Sequence, residues 1–327
     1  MATILLARRV FAIFNSRIHV ILLPALLTQY WSVGYRFPLP AGYYLMISLN
    51  TAAAYWTNLI TDEKEDSLNY AKSERFLAGK LRLAKVLVVL CYSGSLYLAL
   101  QANWRVVLFG AILNSFGTFY GLEFPLPPPW YPRRTRLKSV PWLKNAYSSF
   151  FWSVALLLTP YVYLGTMPEP LILLAIATMF LLAFFVELLW DVRDVIGDRF
   201  AGVRTIPVTM GEPISRWILH ALNVLGTLVL VAGILLGWLP GAYWVILAHA
   251  AGAAFFVEFY MKMPRRQLAS HVFVLFQGLI MVATIVVDRV GREGVPAAPH
   301  YACVCHDASG ARLTHSVDRR RISPRES

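Results

Sequence analysis

An all-α, polytopic membrane protein, with about nine transmembrane helices around a central cavity, is the fold the sequence predicts. Three observations predict it. Of the 327 residues, 57% are hydrophobic and only 15% charged, and the mean hydropathy is +0.55; a soluble domain carries roughly 25% charged and 45–50% apolar residues. The apolar residues gather into about nine long runs, each sufficient for the roughly 30 Å of hydrocarbon in a bilayer. Barrel strands would instead alternate in short segments. Two of the runs end in acidic residues spaced three or four apart.

Taken in order, the runs read at residues 10–33, 40–60, 83–103, 106–122, 146–165, 170–190, 217–238, 242–261 and 268–287. The first holds Arg17 and His19 and is longer than a cleaved signal segment. Arg17 near its start suits either a snorkelling anchor or a phosphate ligand. The second ends in NLITDEKED, which sets Asn58, Asp62 and Asp66 four and four apart. A polar segment with Lys72, Arg75, Gly79 and Lys80 follows, too charged to enter lipid. After the fourth run the proline-rich stretch FPLPPPWYPRRTRLKSVPWLKN cannot stay helical.

The sixth run leads into ELLWDVRDVIGDRFAGVRTIPVTMG, around which the chain is organised. On a helix, Asp191, Asp194 and Asp198 share one stripe. Gly202, Thr205, Pro207 and Gly211 then mark a turn before the seventh run. Residues 1–288 read as one membrane-embedded domain. Residues 289–327 are polar, mixed in charge and aperiodic, and are expected to be disordered. Cys303, Cys305 and His306 in that tail lack a second ligand pair, and Cys91 reads as a small core residue.

Charge sets the orientation. Lys72, Arg75, Lys80, Arg133, Arg134, Arg136, Lys138, Lys144, Arg199, Arg204, Lys262, Arg265 and Arg266 lie in loops after the even-numbered runs, whereas the opposite short loops hold little beyond Arg36 and Arg105. The positive-inside rule places the basic loops, and with them both acidic stripes, on the cytoplasmic face. The net charge of +12 is spread over membrane-side loops. It therefore suits lipid headgroups and a phosphorylated substrate rather than nucleic acid.

An aspartate in a membrane costs about 2.5–3.5 kcal/mol at the bilayer centre and less near the interface. A positive group must offset two such stripes. Mg²⁺ is suited, since it takes carboxylate oxygens and completes its shell with phosphate and water. Lysines and arginines nearby would clamp an anion. Two facing carboxylate stripes with Mg²⁺ and a cationic ring suit a diphosphate, and the apolar helices suit its hydrocarbon tail. The chemistry to expect is ionisation of an allylic C–O bond, with metal and cations taking the charge of the departing diphosphate and a dry cavity protecting the cation.

These residues resemble the UbiA superfamily of membrane prenyltransferases. NLITDEKED matches its NxxxDxxxD pattern and DVRDVIGDRFAGVRTIPVTMG its DxxDxxxD pattern, over roughly residues 10–288. The segments holding Arg75 and Gly79, and Lys138 and Asn145, resemble it too. The resemblance implies that Asn58, Asp62 and Asp66 hold one Mg²⁺ and Asp191, Asp194 and Asp198 another. It implies that Arg75 and Lys138, joined by Arg17 and Asn58, face the diphosphate. It implies transfer of an isoprenyl group to a lipophilic, aromatic or other apolar acceptor. Many members carry Tyr and Lys where this chain has Glu187 and Trp190. Two alternatives stand beside transfer: an intramembrane terpene cyclase of the same superfamily, and a transporter. Transporters place their charges near the midplane on broken helices, and here the acids sit at helix ends.

Overall fold

The computed structural model describes residues 14, 16–35, 39–61, 80–121, 123–124, 135–136, 140, 142–170, 172–263, 266–293, 305–306 and 312–313. Within them, nine helices of 16 residues or more follow one another. They are α1 (Ile18–Tyr35), α2 (Ala41–Thr61), α3 (Leu81–Ala102), α4 (Trp104–Gly121), α5 (Leu143–Leu164), α6 (Ile172–Phe200), α8 (Glu212–Leu235), α9 (Ile246–Met261) and α10 (Gln267–Glu293). A five-residue α7 (Ile206–Met210) and a 3₁₀ turn (Gly241–Val245) sit in the connections. Two antiparallel ladders of two residues each complete the described elements: β1 (Glu123–Phe124) with β2 (Thr135–Arg136), and β3 (Cys305–His306) with β4 (Arg312–Leu313). The second ladder lies in the stretch expected to be disordered, and α10 runs five residues past the expected boundary at 288.

The long helices form a closed ring. Each packs on its neighbours in the chain, and α10 returns to pack on α1. The outer surface is apolar: Leu83, Val89, Leu90, Tyr97, Trp104, Phe255 and Leu279 all lie exposed. Five of the helical segments, Leu81–Ala102, Ile172–Phe200, Glu212–Leu235, Gly241–Met261 and Gln267–Arg292, are long and apolar enough to cross a membrane by length and composition. Trp104–Gly117 is a shorter apolar helix. The others carry polar residues inward, as α5 does with Asn145, Ser149, Ser153 and Thr159, all buried. A chain with an apolar outside and polar groups turned in suits lipid rather than water.

Connections are closed by local chemistry. Asn103 between α3 and α4 accepts from the Val106 amide at 3.1 Å, and its side-chain amide donates to the Tyr163 carbonyl at 3.1 Å, so one residue satisfies two helix ends. Gly202 ends α6 with φ at +73°, a conformation that favours glycine, while the Val203 amide reaches back to the Asp198 carbonyl at 2.8 Å. That turn stops the helix directly after its acidic residues. Gly252 of α9 lies against the Phe276 ring of α10, where a Cβ would clash. Two aromatic-rich cores fill the ring. One surrounds Trp31, Tyr43 and Tyr243; the other, built on Phe185, Leu189, Tyr260 and Phe273, packs beside the acidic end of α6.

Candidate active site

The acidic segment is fully helical, because α6 continues ten residues beyond the apolar run that announces it. Seven residues turn a helix by about 700°, leaving Asp191 and Asp198 within about 20° of one direction, whereas Asp194 is about 60° away from Asp191. The structure follows this arithmetic. Asp191 and Asp198 both face Lys144 of α5, whose Nζ lies 2.6 Å from Asp191 Oδ1 and 3.8 Å from Asp198 Oδ2. Asn145 Nδ2 donates to the other Asp191 oxygen at 2.8 Å. Asp194 turns to its neighbour Arg193, which donates to both carboxylate oxygens at 2.8 and 2.6 Å and to Ser270 Oγ at 3.2 Å.

α5 and α6 run antiparallel, so the pairs continue one turn deeper: Ser148 Oγ donates to Glu187 Oε1 at 2.8 Å. Lys144, Asn145 and Ser148 are spaced one and three apart, which puts them on one face of α5. The side chains of Lys144 and Asp191 are 17% and 3% exposed, and a buried pair of this kind holds only when hydrogen bonds satisfy what the Coulomb attraction leaves open. Asn145 does that for Asp191. Beyond the loop, Arg266 braces the backbone of the same region: it reaches the carbonyls of Val192, Tyr260 and Met261 and pairs with both oxygens of Glu212. Glu212 raises the pKa of Arg266 further, chiefly through these hydrogen bonds.

Inside this end lies an apolar cavity of about 820 Å³, its opening included. Leu23, Leu27, Trp152, Leu156, Met179 and Ile280 line it, with Glu187 and Trp190 toward the acidic end and His249 and Gln277 on its wall. Tyr55 lines it too and lies within electrostatic range of both Glu187 and Arg17. Arg17 opens α1 with φ at +60°, where its carbonyl accepts from the Val20 and Ile21 amides. Asn58 is exposed near the end of α2. Asp62, Asp66, Arg75 and Lys138 lie outside the described residues, so of the predicted acids the structure brings together Asp191 and Asp198, with Asp194 turned to Arg193.

Do these residues suit Mg²⁺? The donors are hard carboxylates, and Asp198 Oδ2, buried and 3.8 Å from the Lys144 ammonium, makes no hydrogen bond, so it keeps an oxygen for a cation at closer range. Against this, Lys144 already supplies positive charge to Asp191, and no group of three or more metal-capable side chains converges among the described residues. The donor set therefore fits as half of a site. Lys144 and Ser148 are the residues that sequence reasoning missed as site members. Lys144 reads from sequence as one of many loop cations, and Ser148 as an ordinary core serine; only their common face with Asn145 signals otherwise.

Fold and site together define an α-helical membrane bundle with acids gathered at one end of an apolar cavity. The model of the UbiA prenyltransferase family matches residues 10–280, and the chain belongs to that family. No curated protein sequence matches the chain. Among solved structures, a UbiA homologue from Archaeoglobus fulgidus bound to GPP and Mg²⁺ superposes with a TM-score of 0.61 at 18% identity, over 86% of this chain and 98% of that one. The apo UbiA homologue from Aeropyrum pernix K1 gives 0.59 at 16% identity, over 81% and 97%. A digeranylgeranylglyceryl phosphate synthase gives 0.53 at 16% identity, over 88% and 100%. At such identities the likeness shows the fold.

Proposed function

We propose that this prenyltransferase catalyses Mg²⁺-dependent transfer of an isoprenyl group from an isoprenyl diphosphate to an apolar acceptor, through ionisation of the allylic C–O bond. The observation that carries the reading is the junction of a buried acid–lysine ladder, Asp191–Lys144–Asp198, with an apolar cavity that opens toward it, about 820 Å³ with its opening included. Homologues of this fold were solved with GPP or DMAPP and Mg²⁺. Asp191, Asp194 and Asp198 would hold one ion and Asp62 and Asp66, with Asn58, the other; bound there, Mg²⁺ would neutralise charge on the leaving diphosphate. Lys144 brings an ammonium to the same place, and Arg75, Lys138 and Arg17 are the further diphosphate contacts proposed. The cavity wall excludes water from the allylic cation. The protein is integral to the membrane, with nine spans ending in α10 at Glu293 and the acidic ends on the cytoplasmic face.

The test uses purified protein in detergent with labelled isoprenyl diphosphates of several chain lengths, with and without lipophilic acceptors. Diphosphate release and a labelled adduct should require Mg²⁺, stop in excess chelator and return when Mg²⁺ is restored. Turnover that persists in chelator overturns the metal-dependent reading. A cyclic hydrocarbon formed equally well without acceptor replaces transfer by cyclisation.

A further inference from the structure

Among the residues that line the cavity Glu187 is the carboxylate, and the transfer reading leaves it without a task. It stands one helical turn, about 6 Å, inward from Asp191 on α6. That depth is where the allylic carbon would lie if the diphosphate sits at the aspartates. Ser148 holds it through Oε1 at 2.8 Å. Tyr55 and Trp152, two further lining residues, stack with centroids 5.9 Å apart and planes 14° apart, and Trp190 belongs to the same wall. Asp191, Lys144 and Arg193 lie within electrostatic range of Glu187, one like and two opposite in charge.

A carboxylate set in an apolar wall is costly, and a single serine hydrogen bond offsets only part of that. Stability alone would favour an apolar residue here. Flat aromatic side chains beside it suit a planar ligand and, by their ring faces, a nearby cation.

Resting on the transfer reading, we propose that Glu187 is the base that takes the proton the acceptor must lose when the prenyl group is transferred to it. In the step, the C1–O bond of the prenyl diphosphate breaks and its electron pair leaves with the diphosphate. An electron pair of the acceptor, from its oxygen or its electron-rich carbon, forms the bond to C1. The proton on that atom passes to Glu187, which becomes a neutral carboxylic acid as the product becomes neutral. A proton acceptor so placed contributes about 10²–10⁴-fold to rate.

The experiment follows two quantities in the purified full-length protein with Mg²⁺, a labelled prenyl diphosphate and a hydroxylated aromatic acceptor: diphosphate released, and adduct formed per diphosphate. Glu187→Gln keeps shape and removes the base. It should leave the KM for prenyl diphosphate unchanged and release within about threefold, while adduct per diphosphate falls about tenfold or more and prenyl alcohol takes its place. Ser148→Ala should lower the same ratio less, since it removes only the group that orients the acid. An unchanged ratio in Glu187→Gln overturns the assignment. So does a parallel fall of release, transfer and thermal midpoint, which marks a structural role. Absence of Mg²⁺-dependent diphosphate release from the unaltered protein is a different failure; it refutes the transfer reading and this assignment with it.

Discussion

Two charge clusters tie neighbouring helices of the ring, and burial sets them apart. Between α5 and α6, Lys144 meets Asp191 with side chains 17% and 3% exposed, and Asn145 takes the second oxygen. Between α8 and α9, Glu258 meets Arg216 at 3.5 Å and His220 at 2.8 Å, with Glu258 44% and Arg216 39% exposed. The pairs use the same kinds of group at comparable distances. In the first, each partner is the chief compensation for the other's loss of water, so removing one strands the other. In the second, solvent or headgroups stand ready to replace either partner. Only the first has the energetic grip to hold charge at a stated place, which is what a site needs.

The comparison breaks most readily at Asp191. Asp191→Ala should lower turnover about a hundredfold or more, the scale of losing one strong electrostatic contact to developing charge. It should also destabilise the protein by up to about 3–5 kcal/mol, because Lys144 is left buried with only the more distant Asp198, at 3.8 Å, facing it. Turnover per monodisperse molecule and the thermal midpoint, read together, check both. The double variant Lys144→Met, Asp191→Leu sharpens the point: stability should return in part, Asp198 having lost its ammonium, while turnover stays lost. Near-normal turnover in Asp191→Ala removes this residue from the site.

Lys144→Ala leaves Asp191 and Asp198 facing each other without the ammonium. The unloaded protein should lose stability, and added Mg²⁺ should raise its thermal midpoint by more than it raises that of the unaltered protein, since a cation binding only the folded state stabilises it by mass action. Equal rises in the two proteins would show that Mg²⁺ does not answer to this lysine.

Arg266→Ala tests a brace that is not among the residues lining the described cavity. It removes the paired bond to Glu212 and the bonds to three carbonyls, and should cost about 1.5–3 kcal/mol of stability in a denaturation midpoint. Glu258→Ala, at the exposed cluster, should leave both the midpoint and turnover unchanged at low and high salt. A large effect there would erase the distinction that burial draws.

The helices and the acidic stripe were legible because both follow from local geometry. An apolar run of about 20 residues has few alternatives to a spanning helix, and the spacing of Asp191 and Asp198 dictates a shared direction whatever lies opposite. The same geometry separates Asp194, a detail that a three-residue spacing conceals when read only as a common stripe. The identity of the cation opposite was not legible. Thirteen lysines and arginines in the even loops carry the same topological signal, and only the face that Lys144 shares with Asn145 and Ser148 sets it apart from Lys138.

What the sequence determined by itself is therefore the membrane class, the succession of helices and the face of α6 on which Asp191 and Asp198 stand, since these depend on backbone periodicity and on transfer from water to lipid. The tertiary structure decided the closure of α10 on α1, the cavity within the ring and the meeting of α5 with α6 that sets Lys144 on Asp191 and Ser148 on Glu187. Those pairings depend on helix register and crossing, which arise from side chains packed across the whole ring and are encoded in no single stretch of it.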